Sequence, residues 1–231
     1  MQYQLLLLLG IPLVFAGFDS SESCESSSSS SSGSHEHYGG GRGHHHHGGH
    51  RPRPPPPRPA KKCDDGWTMF NRTKGPWCMK VFYAPGNQMA AENGCMAQGA
   101  TLTGQQNAME RMWVANTGRI LANAYGGGLS EVWIGARRKA QCPQKRSCGP
   151  NDTFEWTDGH TDGVEGFYWP GPEPNNARAP NYPQWGLQHC LQIQVSAVEG
   201  RASRFGYPHG SNDDDQCQRP LRMYACGKLA K

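Results

Sequence analysis

Residues 169–175 read WPGPEPN and residues 212–217 read NDDDQC. Glu173, Asn175 and the acidic run Asp213-Asp214-Asp215 offer carboxylate and amide oxygens. These are hard ligands, of which a calcium ion takes about six to eight, and two such groups on either side of a long loop can close around one ion. A cis bond at Pro174 would turn Glu173 and Asn175 toward a common point at a cost of about 0.5–1 kcal/mol. The plain alternative is a polar turn, because Pro and Asn are ordinary turn residues.

Upstream of this segment stand Val132-Trp133-Ile134-Gly135 and Phe154-Glu155-Trp156-Thr157-Asp158-Gly159. Around and beyond it stand Trp169, Cys190, Cys217 and Cys226. In order and approximate spacing these motifs resemble the C-type lectin-like domain over about residues 63–228, and their wording is most like that of secreted nematode lectin-like proteins. The resemblance implies an α+β fold, with two helices flanking small antiparallel sheets and a long ligand-binding loop. It also implies disulfides Cys63–Cys78, Cys95–Cys226 and Cys190–Cys217, which leaves Cys142 and Cys148 to staple a local loop.

In sugar-binding members of that family five side chains hold a calcium ion and also touch two sugar hydroxyls. Glu173 and Asn175 match the first two, in the order associated with mannose, glucose and fucose type ligands. Gln188 stands where a glutamate is usual, and Asp213-Asp214 stand where Asn-Asp is usual. The totals, three carboxylates and two amides, are unchanged. An ionised Asp213 cannot donate a hydrogen bond to a sugar hydroxyl. A one-residue bulge would instead offer Asn212 and Asp213 as the pair. Trp185, with Tyr182, either stacks on a sugar ring or packs the enlarged loop. Asp158, Asp162 and Glu165 read as a solvated turn, with an auxiliary ion as the alternative.

The chain has 231 residues, of which 35% are apolar, enough for one sizeable domain and something else. Leu5 to Phe15 has the length of a signal-peptide core, so residues 1–17 are expected to be a leader and the protein to be secreted. Residues 18–60 are rich in Ser, Gly, His and Pro and hold too little apolar surface for a core, so disorder passing into a polyproline stem is expected. His35, His37, His44 to His47 and His50 read as solvated spacer or as imidazole ligands for zinc or copper. The domain is expected to fill residues 61–231. Eight of the nine cysteines lie in it, and Cys24 stands alone. In an exported chain they argue for disulfides, although eight allow roughly a hundred pairings. Asn71 and Asn151 head glycosylation sequons.

Along the domain, short paired strands are expected from Cys63 to Tyr83 and a helix from Gln88 to Gln98, stopped by Gly99. A second helix is expected over 105–124, burying Met109, Met112, Trp113, Ile120 and Leu121, with Gly118 as a point of interruption. Strands follow at 132–136, 154–156, 190–195 and 221–226, with a long loop over 161–188. Trp133 and Trp169 read as core.

A net charge of +4 with no basic stripe carries no nucleic-acid footprint. No second apolar run predicts membrane insertion. His189 beside Cys190 is no catalytic dyad if the cysteine is oxidised, so the expected function is binding rather than catalysis. The partner expected from the resemblance is a glycan held with calcium; the alternative is a calcium-free lectin-like module that binds a protein. No heptad pattern precedes the domain, so no oligomeric state is read from the sequence.

Overall fold

The computed structural model describes residues 59–231. The expected leader, Cys24, the histidine run and all but the end of the Ser/Gly/His/Pro-rich stretch lie outside the described residues.

Ten regular elements follow in order: β1 (Thr68–Arg72), β2 (Gly75–Gly86), α1 (Gln88–Met96), β3 (Thr101–Leu102), α2 (Ala108–Ala124), β4 (Ser130–Arg138), β5 (Phe154–Trp156), β6 (Gln188–Val195), β7 (Asn212–Gln216) and β8 (Leu221–Leu229). The fold is α+β, but the strands form one mixed sheet ordered β1-β2-β8-β4-β6-β7 rather than small antiparallel sheets. The last strand enters between β2 and β4. Being antiparallel to β2, β8 runs parallel to β4, with Val132 beside Met223 and Trp133 beside Tyr224. Lys62 and Lys231 exchange backbone hydrogen bonds of 2.7 and 3.0 Å, and Ala230 bonds to Pro76 of β2, so both ends of the domain meet beside the β1–β2 edge.

Helices cover both faces of the sheet, so the central strands read as continuous apolar runs. Along β4, Val132 and Ile134 point into the cluster under α2 while Trp133, fully buried, points into the cluster under α1. Gly135 carries no side chain because a Cβ there would collide with the Leu102 carbonyl oxygen of β3. Each helix starts on an asparagine cap: Asn87 accepts from the Ala90 N–H at 2.9 Å and Asn107 from the Glu110 N–H at 3.1 Å.

The inner face of α2 matches the expected one in part: Trp113 and Leu121 pack against the core. Met109 is 66% exposed and Ile120 69% exposed, while Val114, Ala115, Gly118 and Ala122 are buried. Gly118 does not interrupt the helix. It lets α2 approach the sheet, for a Cβ there would stand 3.0 Å from Val132 and 3.3 Å from Val195. Small residues face inward because close approach leaves no room for a methionine stripe.

Asp158 also departs from expectation: its side chain is not solvated. Its buried carboxylate accepts from the Gly104, His160 and Thr161 N–H groups at 2.8–3.0 Å. It lies 3.5 Å from Arg72 Nη1. Arg72 donates to both Glu110 oxygens at 2.9 and 2.6 Å, to Thr161 Oγ1 at 2.9 Å and to the Gly104 carbonyl at 3.1 Å. Four bridges complete the frame, Cys63–Cys78, Cys95–Cys226, Cys142–Cys148 and Cys190–Cys217. They pair as the resemblance implies.

Replacing Arg72 by Met leaves two buried carboxylates without their counter-ion. We expect Arg72→Met to lower the unfolding free energy by about 3–5 kcal/mol, read as a fall in the urea midpoint at unchanged slope.

Candidate functional site

The long loop over residues 161–188 contains one short 3-10 turn, Pro183–Trp185. It folds back over the outer strands β6 and β7, with Glu173-Pro174 in the cis form. The acidic run was not expected to be a strand, since Asp is poor in strands. It forms β7, every residue of which is buried. Alternation along β7 sends Asp213 and Asp215 to one face and Asp214 to the other. On the first face Gln194 donates to Asp213 Oδ2 at 2.9 Å, and Gln192 donates to Asp215 at 3.0 Å. Asn212 is committed elsewhere, accepting from the Tyr168 N–H at 2.8 Å and donating to Gln105 at 3.2 Å. The bulged register that would offer Asn212 as a ligand is therefore not the one adopted. A bulge does occur one strand away, between Gln188 and Cys190 of β6.

Glu173, Asp213 and Asp214 each bring an oxygen within 4.8 Å of the other two. Glu173 Oε1 accepts from Tyr207 Oη and from Asn175 Nδ2, both at 2.6 Å. Its other oxygen, Oε2, is buried and accepts no hydrogen bond among the described residues. Asn175 Oδ1 and Gln188 Oε1 converge on the Ala177 N–H at 2.8 and 2.5 Å. Glu173, Asn175, Gln188, Asp213 and Trp185 line one cleft of ≈ 360 Å³. Trp185 stacks on Tyr182 with centroids 4.0 Å apart.

Asp214 sits behind the others with no exposed surface. It accepts from the Asn175 N–H at 2.9 Å, from the Asn176 N–H at 2.8 Å and from the Arg138 guanidinium, whose side chain is 2% exposed. Arg138 also donates to the Gln188 carbonyl at 2.9 Å and to that of Cys142 at 3.3 Å, and lies over the Phe154 ring at 5.0 Å. An ionised carboxylate offers about four lone-pair directions, so three are used and one remains on Asp214 Oδ1.

This donor set suits a hard divalent cation. Calcium holds oxygens at about 2.3–2.6 Å, so ligands around one ion stand up to about 5 Å apart, the scale of the cluster. Glu173 Oε2 is a buried acceptor without a hydrogen-bond partner among the described residues. Glu173, Asp213, Asn175 and Gln188 would hold the ion from the cleft side, with Asp214 behind.

Charge accumulates at the site. Burial, with Asp214 adjacent, raises Glu173 from 4.5 to about 7. Burial, then the neighbouring carboxylates, raises Asp213 from 3.8 to about 9. Asp215 is raised by burial to about 6, with Arg219 opposing. Arg138 and Tyr207 belong to the site but carry no sequence signal, since Arg138 meets Asp214 across 76 residues and Tyr207 meets Glu173 across 34.

Two outcomes are expected. Without metal, the folded state binds protons at Glu173 and Asp213 more tightly than the unfolded chain does. The stability they allow is therefore complete below about pH 4 and lost as pH rises through about 7 and 9. In chelator, the melting temperature should fall across that window, and a bound divalent cation should flatten the profile; a flat profile in chelator counts against the charge cluster. Arg138→Met should cost the chelated protein about 3–5 kcal/mol by thermal unfolding, because Asp214 is left buried without its cation.

The family model for C-type lectin domain-containing protein 141/158 matches residues 67–228. No curated protein matches the chain. Among solved structures it is similar to a calcium-independent type II antifreeze protein, at 20% identity over 74% of this chain and 98% of that one, with a TM-score of 0.47. It is similar to the cow C-type carbohydrate-recognition domain of CD23 in the presence of a GlcNAc2Man3 oligosaccharide, at 17% identity, 74% and 99% coverage and a TM-score of 0.46. It is also similar to the C-type lectin CEL-I from Cucumaria echinata, at 20% identity, 72% and 96% coverage and a TM-score of 0.48. The family model spans well over half of the chain, from Trp67 before β1 to Lys228 in β8, and the chain belongs to the C-type lectin domain-containing protein 141/158 family.

Proposed function

We propose that the domain is a non-catalytic module that binds carbohydrate in the cleft beside Glu173, with calcium as the partner of the acidic cluster. The observation that carries this reading is the buried, unpartnered Glu173 Oε2, set among carboxylates within 4.8 Å of one another. When bound, calcium supplies a positive centre for the lone pairs of sugar hydroxyls. The chain's own groups do the rest. Glu173 and Asp213 accept hydrogen bonds from hydroxyls, while the amides of Asn175 and Gln188 donate to them. Asp214, clamped by Arg138, holds the backbone of Asn175 and Asn176 in place. Trp185 gives an apolar border for a ring.

The Glu173-Pro174-Asn175 order supports a mannose or glucose type preference. The expected leader and four disulfides support a secreted protein matured in an oxidising compartment. Among the described residues no helix is long and apolar enough to cross a membrane. Asn71 and Asn151 are exposed and are the proposed N-glycan sites. Cys190 is bonded to Cys217, so His189 has no thiol to activate. A second reading, a calcium-free module for a protein ligand, is favoured by one observation: Arg138 already gives Asp214 a cation.

Calorimetric titration separates them. Asp213→Asn should weaken calcium binding, and adding Gln188→Glu should bring it back toward the starting value. The two changes should be non-additive by more than about 0.5 kcal/mol, since both side chains touch one ion. If Asp213→Asn leaves calcium affinity unchanged, Asp213 is not a ligand. Ligand binding that persists in chelator selects the calcium-free reading.

A further inference from the structure

We propose that the glycan taken by the cleft carries an anionic group, a hexuronate carboxylate or a sulfate ester, next to the sugar held at Glu173 and Asn175; this rests on the carbohydrate reading above. The cleft has an acidic pole, the carboxylate cluster, and is lined as well by Arg178, Arg204 and Arg219. Arg219 is engaged through both terminal nitrogens, donating to Asp215 at 2.5 Å and to Glu131 at 3.0 Å. Arg204 is not. Only its Nε approaches Glu131, at 2.7 Å, its side chain is 42% exposed, and its terminal nitrogens make no hydrogen bond among the described residues. Arg178 is exposed and has neither hydrogen bond nor ion pair among the described residues.

Arg204 and Arg219 meet carboxylates, Glu131 and Asp215, whereas Arg178 meets none among the described residues, so the cleft keeps guanidinium charge without a partner. Its unused N–H donors are the planar forks that bind carboxylate or sulfate through paired hydrogen bonds. A neutral sugar would use none of that charge. The same turn carries Phe205, which is 72% exposed with φ of 61°. A bulky residue in the left-handed region is an outlier of the kind that gathers at binding sites, and core packing does not explain this one. Phe205 and Trp185, from different loops, give the cleft an apolar rim for the face of a second ring. An acidic peptide fits less well, since it has no vicinal hydroxyls for the acidic pole.

The test is calorimetry on the full chain in calcium, with cellotetraose, its 6-carboxylated analogue and its 6-O-sulfated analogue, which share one backbone and differ at C6. Poly-glutamate serves as a charge-only control. We expect at least one anionic tetrasaccharide to bind about tenfold more tightly than the neutral one, and which of the two does so identifies the source of charge. Arg178→Ala with Arg204→Gln should erase the preference and leave cellotetraose affinity unchanged. Equal binding of all three sugars overturns the inference and leaves the carbohydrate reading standing. A preference that survives the double variant, or poly-glutamate binding as tightly as the anionic sugars, also overturns it. Binding of none of the three sugars removes this inference and the carbohydrate reading together.

Discussion

The burial of Arg72 is the constraint around which the domain is arranged. A guanidinium removed from water is tolerable only if nearly all its donors are met, because desolvating an ion costs several kcal/mol. Arg72 meets that condition by drawing on three separate parts of the chain. Glu110 comes from the first turn of α2, Gly104 from the segment after β3, and Asp158 and Thr161 from the start of the long loop. Trp77 of β2 covers the guanidinium at 5.1 Å and donates its own N–H to Thr103. None of these partners can shift without stranding a charge, so α2 and the root of the loop are held to β1 and β2 by electrostatics as much as by apolar packing.

At the far end of the loop the same solution recurs with a second arginine. Arg138 at the end of β4 satisfies Asp214, and Asp214 in turn fixes two successive backbone N–H groups beside Glu173. The loop is thus pinned at its root by one buried ion cluster and near Glu173 by another. Between them Cys190–Cys217 ties the two strands beneath. The Glu173–Asp213 face, which opens to the cleft, has no arginine partner among the described residues. Arginine thus holds the loop in place, while Glu173 and Asp213 rest on neutral partners, Tyr207, Asn175 and Gln194.

What could be read from the chain beforehand was whatever is local or periodic. The Glu173-Pro174-Asn175 turn, the start of α1 at Gln88 with its stop at Gly99, and the strand at Phe154–Trp156 all carry their signals within a few residues. Two features were hidden for different physical reasons. The strand Asn212–Gln216 has a composition that disfavours strands, and only the glutamines on β6 and the arginines on either side make its burial tolerable. The buried face of α2 was masked because tight packing against the sheet selects small side chains, while the methionine and isoleucine that dominate the apolar pattern stay outside. Arg138 had no sequence neighbour to betray it, for its partner comes from a strand 76 residues away.

The meeting of Lys62 with Lys231 has a practical meaning for anyone handling the domain. Both backbone ends of the fold lie beside the β1–β2 edge, and the cleft lies at the β7 edge, on the other side of the strand order. Beads, fluorophores or fusion partners attached at either extremity of this domain therefore load the same side of the sheet and leave the opposite rim open. A surface coated with the domain through such a handle presents the β7-edge cleft outward, and a circularly permuted version joining the two lysines by a short bridge has only a small gap to close.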